Sequence, residues 1–119
     1  MFDTQAARYS AEETCSGGLR WAISPASAIW DIKSTVATAV FLNLGARLYR
    51  FTGNETYAEW AERSWNWLTD IGLVDDEFNV WDSAVSAEMN CSDIIRYRTS
   101  NNAAVLLQAA AYMTSQVRQ

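Results

Sequence analysis

Two consecutive helix patterns set the architecture: residues 34–53 read STVATAVFLNLGARLYRFTG, and residues 54–72 read NETYAEWAERSWNWLTDIG. In the first, large apolar residues recur at three- and four-residue steps, and alanine and glycine make the helix apolar almost all round. Ser34 opens this helix, and Gly53 ends it as a C-terminal cap. The second helix is amphipathic, begins after the capping residue Asn54 and ends at Gly72. The short turn between them predicts an antiparallel helical hairpin.

A third helix pattern lies further along the chain, from Ala103 to about Ser115, with Asn101 or Asn102 as its cap. It is again apolar on nearly every side, and residues 39–43 correspond to residues 104–108 at an offset of 65. Residues 3–9 read as the last turns of another helix. Residues 73–83 suggest a brief extended segment, and residues 86–100 a polar loop.

The order is therefore inner helix, outer helix, inner helix. A helix that is apolar all round needs neighbours on every side, and three helices cannot supply them. The pattern predicts an all-α chain that forms part of a larger helical toroid or barrel. We expect residues 1–119 to be an internal portion of one such domain, truncated at both ends.

Composition excludes several classes of function. The 119 residues contain no histidine, which removes Ser-His-Asp catalysis and histidine-ligated zinc. Nine basic residues against fourteen acidic ones give a net charge of -5, which disfavours nucleic-acid binding. Lys33 is the only lysine, so a polybasic membrane patch is not expected. The chain contains neither a long apolar run nor an apolar signal-peptide region at its start.

Two features nevertheless indicate the secretory pathway. Asn54-Glu-Thr and Asn90-Cys-Ser both fit the acceptor pattern for N-glycosylation. Cys15 and Cys91 form an even pair without the spacing of a zinc or redox motif, so they are either two buried thiols or a disulfide. A bridge over so long a loop would stabilise the fold by about 4 kcal/mol in the chain-entropy model.

The segment Thr14-Cys-Ser-Gly-Gly-Leu-Arg-Trp21 resembles the glycine-rich segment of glycoside hydrolase family 76, the endo-α-1,6-mannanases and related fungal cell-wall mannosidase-like proteins. Similarity continues in order through nearly the whole chain. The further matching segments are residues 41–48, 52–61, 65–67, 72–76, 79–82, 90–94 and 102–107.

This resemblance implies an (α/α)6 barrel of alternating inner and outer helices, of which the chain would be a part. It implies retaining hydrolysis or transglycosylation of α-1,6-linked mannose in cell-wall polysaccharide or anchors, with two carboxyl groups and without metal or cofactor. The full-length parent would be secreted or on the cell surface, with the membrane reached only through a possible anchor. The resemblance also implies that Cys15 and Cys91 pair.

The catalytic residues of the family are two adjacent aspartates upstream of the glycine-rich segment, so here they would fall before Met1. Asp75-Asp76 aligns instead with an additional acidic loop, and we expect it to be solvated. The chain alone is thus expected to be inactive.

Matches to the family nominate eight residues to line a cleft for mannan or another mannose-containing glycan. Each also has a structural interpretation, since Asp82 could cap a turn and Asn102 could cap the third helix. The eight candidates are Gly17, Gly18, Arg20, Trp21, Asn43, Trp81, Asp82 and Asn102.

Two alternatives stay open at this point. Family amides and a tyrosine are replaced around residues 34–39 and 101–104, which favours a non-catalytic carbohydrate-binding or scaffold remnant. The hairpin around Tyr57 also superficially resembles a tetratricopeptide unit, although no 34-residue period recurs.

Overall fold

The computed structural model describes residues 2–11, 15, 17–22, 26–27, 30–85, 91 and 93–117. This part of the chain is mostly helical and adds one small antiparallel sheet. The elements are α1 (Phe2–Ala11), β1 (Ile32–Ser34), α2 (Thr35–Thr52), α3 (Glu55–Ile71), β2 (Ser83–Val85), β3 (Asp93–Ile95) and α4 (Ser100–Val117). None of the described helices is long and apolar enough to cross a membrane.

The predicted ends of α2 and α3 are confirmed. The Ser34 hydroxyl accepts a hydrogen bond from the backbone N–H of Ala37, and Gly53 ends α2 in the left-handed conformation. The Asn54 side chain accepts from the N–H of Thr56, and Gly72 ends α3 in the same left-handed way. The two helices then pack along each other as the predicted hairpin.

The predicted start of the last helix is wrong. Helix α4 begins at Ser100, and the hydroxyl of Thr99 accepts a hydrogen bond from the backbone N–H of Asn102 at 3.3 Å. Neither Asn101 nor Asn102 is therefore the capping residue. The Asn102 side chain instead donates to the carboxylate of Asp82, the residue before β2, and this contact joins α4 to the segment that leads into the sheet.

The prediction of a helical chain is confirmed in its main part, but the structure adds a small sheet that the sequence did not predict. Three strands of three residues each form a sheet in the order β1-β2-β3, with Lys33 opposite Ala84 and Ala84 opposite Ile94. Strand β3 lies within the stretch that the sequence predicts to be a polar loop. Strands this short carry no clear period-two pattern, so their pairing depends on tertiary contacts.

Helix α2 is the centre of the described fold, because both α3 and α4 pack along it. Aromatic rings from α1 close one end of this core. Phe2 stacks on Phe41 with ring centroids 4.9 Å apart, and Tyr9 meets Trp60 edge-on at 5.4 Å. Each such pair stabilises beyond the area that it buries.

A polar contact fixes the relative height of α2 and α4. The Nδ2 of Asn43 donates to the Oε1 of Gln108 at 2.8 Å, and these residues are 65 apart in sequence. Asn43 is the ninth residue of Thr35–Thr52, and Gln108 is the ninth residue of Ser100–Val117. The offset seen in the sequence thus relates two helices that lie side by side at equal height.

The glycine-rich segment packs against the hairpin. A side chain at Gly18 would bring its Cβ within 2.3 Å of the Trp67 ring, and a Cβ at Gly17 would come within 2.7 Å of Tyr9. The Trp67 indole N–H donates to the carbonyl of Cys15 at 2.9 Å, and Cys15 is joined to Cys91 by a disulfide. This covalent link ties the segment to the region beside β3.

Replacing Gly18 by alanine is expected to destabilise the protein strongly. The residue has a φ of 81°, and its new Cβ would collide with a buried ring, so overpacking adds about 1–3 kcal/mol to the backbone strain. Gly53→Ala is the matched control, because Gly53 has a φ of 74° and a Cβ added there would meet no atom within 4 Å. Urea unfolding with the disulfide intact measures both, and equal losses would contradict the packing argument.

Candidate functional site

A cleft of about 320 Å³ opens where the sheet meets the first turns of α2 and α4. Both helices begin at this point, and strand β2 begins beside them. The residues lining the cleft are Trp21, Ile32, Ser34, Val36, Asp82, Ser83, Thr99, Asn101 and Asn102. Three of the eight predicted binding residues are therefore brought together here: Trp21, Asp82 and Asn102.

Hydrogen bonds hold both the backbone and the side chain of Asp82. Its backbone carbonyl accepts a hydrogen bond from the N–H of Thr35, the first residue of α2, at 2.9 Å. Its carboxylate accepts from the Asn102 Nδ2 at 3.1 Å and from the Ser83 hydroxyl at 3.2 Å. Asn102 is only 2% exposed, so it orients the carboxylate from behind, while half-buried Asp82 faces the cleft.

Trp21 forms the aromatic wall of the cleft. Its side chain is 55% exposed, while its backbone N–H is held by the carbonyl of Ile32 at 2.9 Å. The same ring borders a second groove of about 470 Å³ with largely apolar walls, which include Val40 and Leu44. The indole thus stands between the cleft, which contains the Asp82 carboxylate, and a groove with largely apolar walls.

Three further predicted residues, Gly17, Gly18 and Arg20, lie outside the cleft lining. Gly17 and Gly18 pack against the rings described above, and the Gly17 carbonyl accepts a hydrogen bond from the Lys33 ammonium. Arg20 is buried, stacks on the Trp30 ring at 4.4 Å and donates to the Trp30 carbonyl at 2.7 Å. These contacts hold the loop that carries Trp21.

The remaining two predicted residues, Asn43 and Trp81, also point elsewhere. Asn43 is buried in the contact between α2 and α4. The Trp81 indole N–H donates to Asp75, although its backbone carbonyl accepts from the Thr35 hydroxyl beside the cleft. Of the two sequons, Asn54 is exposed at the start of α3, and Asn90 lies outside the described residues.

Six residues of the cleft are not nominated by the sequence. Ser34 and Asn101 stand out there only as helix-start residues and as departures from the family pattern, and Thr99 is missed because the predicted helix start is misplaced. The usable signal for Thr99 and Ser83 is their position, since Thr99 directly precedes α4 and Ser83 is the first residue of β2. Ile32 and Val36 carry no signal that separates a cleft wall from a core residue.

The Asp75 carboxylate organises the acidic loop instead of being freely solvated. It accepts from the backbone N–H groups of Glu77 and Asn79 at 3.0 and 2.9 Å, and from the Asn79 and Trp81 side chains at 3.1 Å each. Partial burial raises the pKa of Asp75, but these hydrogen bonds outweigh it and hold the pKa below the ordinary value. Such a carboxylate is a structural acceptor.

The cleft has the parts of a sugar site. An exposed indole can stack on a sugar ring, and a fixed carboxylate can accept hydrogen bonds from hydroxyl groups. Asp82 is the only carboxylate among the described residues that line it. Elsewhere in the described ranges, no cluster of three or more acidic or cysteine residues could hold a metal ion.

Comparison with known proteins assigns the family. The sequence model of glycosyl hydrolase family 76 matches residues 1–117. The chain belongs to this family. Among curated relatives, it is 40% identical over 115 residues to the mannan endo-1,6-alpha-mannosidase DCW1 of Candida albicans, covering 95% of this chain. It is also 40% identical over 115 residues to the mannan endo-1,6-alpha-mannosidase DFG5 of Saccharomyces cerevisiae.

A solved structure gives the same result for the fold. The crystal structure of Dfg5 from Chaetomium thermophilum in complex with glucosamine matches with a TM-score of 0.91 and 46% identity, over 99% of this family 76 chain and 29% of that chain. The chain spans about a quarter of the length of the curated relatives it matches, 25% for both mannosidases above.

Asp75→Asn is expected to lower stability at neutral pH, because the amide replaces an oxygen that accepts from Asn79 and Trp81. The folded-state pKa of Asp75 is lowered, so its stabilisation is complete above the ordinary value of 3.8 and is lost as pH falls through the lowered value. The stability gap between wild type and variant should therefore shrink as pH is lowered below 3.8.

Urea unfolding at a series of pH values measures this gap. Asp76→Asn is the control, since that exposed neighbour makes none of these hydrogen bonds and its replacement should leave stability at neutral pH unchanged. A gap that stays constant across the acid range would contradict the assignment.

Proposed function

We propose that this chain forms part of the wall of an (α/α)6 barrel and supplies glycan contacts to a glycosidase or transglycosidase acting on α-1,6-linked mannose. The observation that carries the proposal is the convergence of Trp21, Asp82 and Asn102 on one cleft. The names of the curated relatives support mannan as the substrate class.

The binding mode follows from the contacts of the cleft. Each oxygen of the Asp82 carboxylate already accepts one hydrogen bond, from Asn102 or from Ser83, and each keeps a further lone pair for a sugar hydroxyl. Trp21 presents an open face on which a pyranose ring can stack. The related Dfg5 structure contains glucosamine, which supports a six-membered sugar as the ligand of such a domain.

The chemistry requires more than this cleft holds. A retaining glycosidase needs two carboxyl groups about 5–5.5 Å apart, one as nucleophile and one as acid and base. Asp82 alone cannot supply such a pair, and Asp75 is engaged in its own loop. We infer that the cleft binds and orients glycan, while a catalytic carboxyl pair lies outside the residues that line it.

The barrel assignment rests on exposed apolar surface. Leu107 on α4 is 73% exposed and Val40 on α2 is 52% exposed, although both lie on helices that are apolar nearly all round. Burying such faces against further helices of one domain would remove them from water. The Cys15–Cys91 disulfide supports a secreted or cell-surface location for the parent protein, because disulfides persist in oxidising compartments.

A second candidate is a carbohydrate-binding or scaffold remnant without catalysis. The single carboxylate of the cleft favours it, and binding alone does not separate the two proposals. An assay of the full-length gene product for release of reducing ends from α-1,6-mannan separates them. Hydrolysis by that product supports the enzyme, and binding without hydrolysis supports the remnant.

Binding of α-1,6-mannotriose to the purified chain tests the cleft. Asp82→Asn and Trp21→Ala should each weaken binding by about tenfold or more, because they remove a charged acceptor and the stacking surface. Isothermal titration calorimetry measures the affinity without using tryptophan as the reporter. Asp76→Asn is the matched carboxylate control and should bind like wild type; equal binding by all three variants would refute the site.

Asn54 is proposed to carry an N-linked glycan when the protein passes through a secretory pathway. The residue is exposed, and its Oδ1 caps α3 while glycosylation uses Nδ2, so the cap survives modification. After expression in a eukaryotic secretory host, the wild-type protein should carry a glycan at Asn54. The mass of the Asn54→Gln variant should be lower by that one glycan. Asn66→Gln, an exposed asparagine on α3 outside any sequon, should leave the mass of the glycoprotein unchanged.

A further inference from the structure

Two buried threonines lie side by side in the first turn of α2, directly behind the cleft. Thr35 is the first residue of this helix and Thr38 is the fourth, and both are completely buried. Residues three apart on a helix are neighbours on its surface, with Cβ atoms about 5–6 Å apart. The segments that these two side chains hold are therefore fixed at a short distance from each other.

Thr35 holds the segment that carries the Asp82 carboxylate. Its backbone N–H donates to the carbonyl of Asp82 at 2.9 Å, and its hydroxyl donates to the carbonyl of Trp81. Both of these residues precede β2, so the pairing of Ser34 with Ser83 begins only after them. The position of this wall of the cleft thus depends on Thr35 as well as on the sheet.

Thr38 holds the segment that carries the Trp21 indole. Its Oγ1 accepts a hydrogen bond from the backbone N–H of Leu19 at 3.1 Å. The carbonyl of Leu19 accepts from the N–H of Ser34, also at 3.1 Å. Leu19 is thus held through both its backbone N–H and its carbonyl by the start of α2, two positions before the indole that lines the cleft.

We propose that Thr35 and Thr38 are positioning residues for glycan binding, which set the gap between the Asp82 carboxylate and the Trp21 indole. The proposal rests on the proposed function for the sugar that fills this gap. A sugar ring stacked on Trp21 reaches Asp82 only when the gap matches the ring, since its hydroxyl groups must come within about 3 Å of the carboxylate. Threonine suits this task because its β-branched side chain has few rotamers and directs the hydroxyl firmly.

Replacement of each hydroxyl by a methyl group of nearly the same shape tests the proposal. Thr35→Val removes the hydrogen bond to Trp81, and Thr38→Val removes the acceptor for Leu19. Each variant should bind α-1,6-mannotriose about fivefold more weakly than wild type in isothermal titration calorimetry. Thr35→Ser and Thr38→Ser restore the hydroxyl and should bind like wild type. Valine variants with wild-type affinity would overturn the proposal.

Ser64→Ala is the matched control. Ser64 is as completely buried as the two threonines, and its hydroxyl donates to the Trp60 carbonyl at 2.9 Å within α3, away from the cleft. This variant loses a buried hydrogen bond and some stability in urea, but it should bind mannotriose like wild type. A loss of affinity as large as in the two valine variants would assign their effect to general destabilisation and contradict the positioning role.

Double variants identify the wall of the cleft through which each threonine acts. Thr35→Val should cause no further loss of affinity when Asp82 is already asparagine, and Thr38→Val should cause none when Trp21 is already alanine. The reason is that the contact aligned by each threonine is then already missing, so the two effects do not add. An undiminished loss in either double variant would overturn the role of that threonine.

Crystal structures without sugar separate this proposal from the proposed function. The distance between the Asp82 carboxylate and the Trp21 indole should differ from wild type by about 0.5 Å in both valine variants and stay unchanged in Ser64→Ala. Failure of wild type to bind mannotriose would refute the glycan site of the proposed function. In that case, a changed distance in the valine variants still supports the positioning role, and an unchanged distance refutes it.

Discussion

The starts of α2 and α4 meet at one residue, Asp82, and the sheet and the cleft are arranged around that junction. The Asp82 carbonyl receives the first N–H of α2, and its carboxylate receives the buried amide of Asn102 in the first turn of α4. Ser83, which follows it, begins the central strand of the sheet. The cleft is the space left where these three elements converge, so its shape depends on the same contacts that hold the fold together.

Helix ends were predictable where their signals are local. Ser34, Gly53, Asn54 and Gly72 act through hydrogen bonds or backbone angles within a few residues of themselves. The start of α4 was not predictable in this way, because Thr99, Asn101 and Asn102 are all good capping residues and a contact with distant Asp82 selects among them. The sheet was not predicted for a related reason, because strands of three residues are defined by the strands with which they pair.

The residues nominated for the candidate site also divide into those that the sequence placed correctly and those whose contacts depend on the tertiary fold. Residue type and family resemblance nominated Trp21, Asp82 and Asn102, which the cleft brings together. The same arguments nominated Arg20 and Trp81, whose partners, the Trp30 carbonyl and Asp75, follow from loop geometry that composition does not encode. Sequence identifies which side chains are capable of binding a sugar. The tertiary fold decides which of them retain free lone pairs and open ring faces.

The amide contact between Asn43 and Gln108 extends beyond packing. Two helices of similar sequence pattern meet there at the same position along their lengths. Because the amides meet at the ninth residue of each helix, a slide of either helix along its axis by a single turn would separate them and leave the buried amide of Asn43 without this partner.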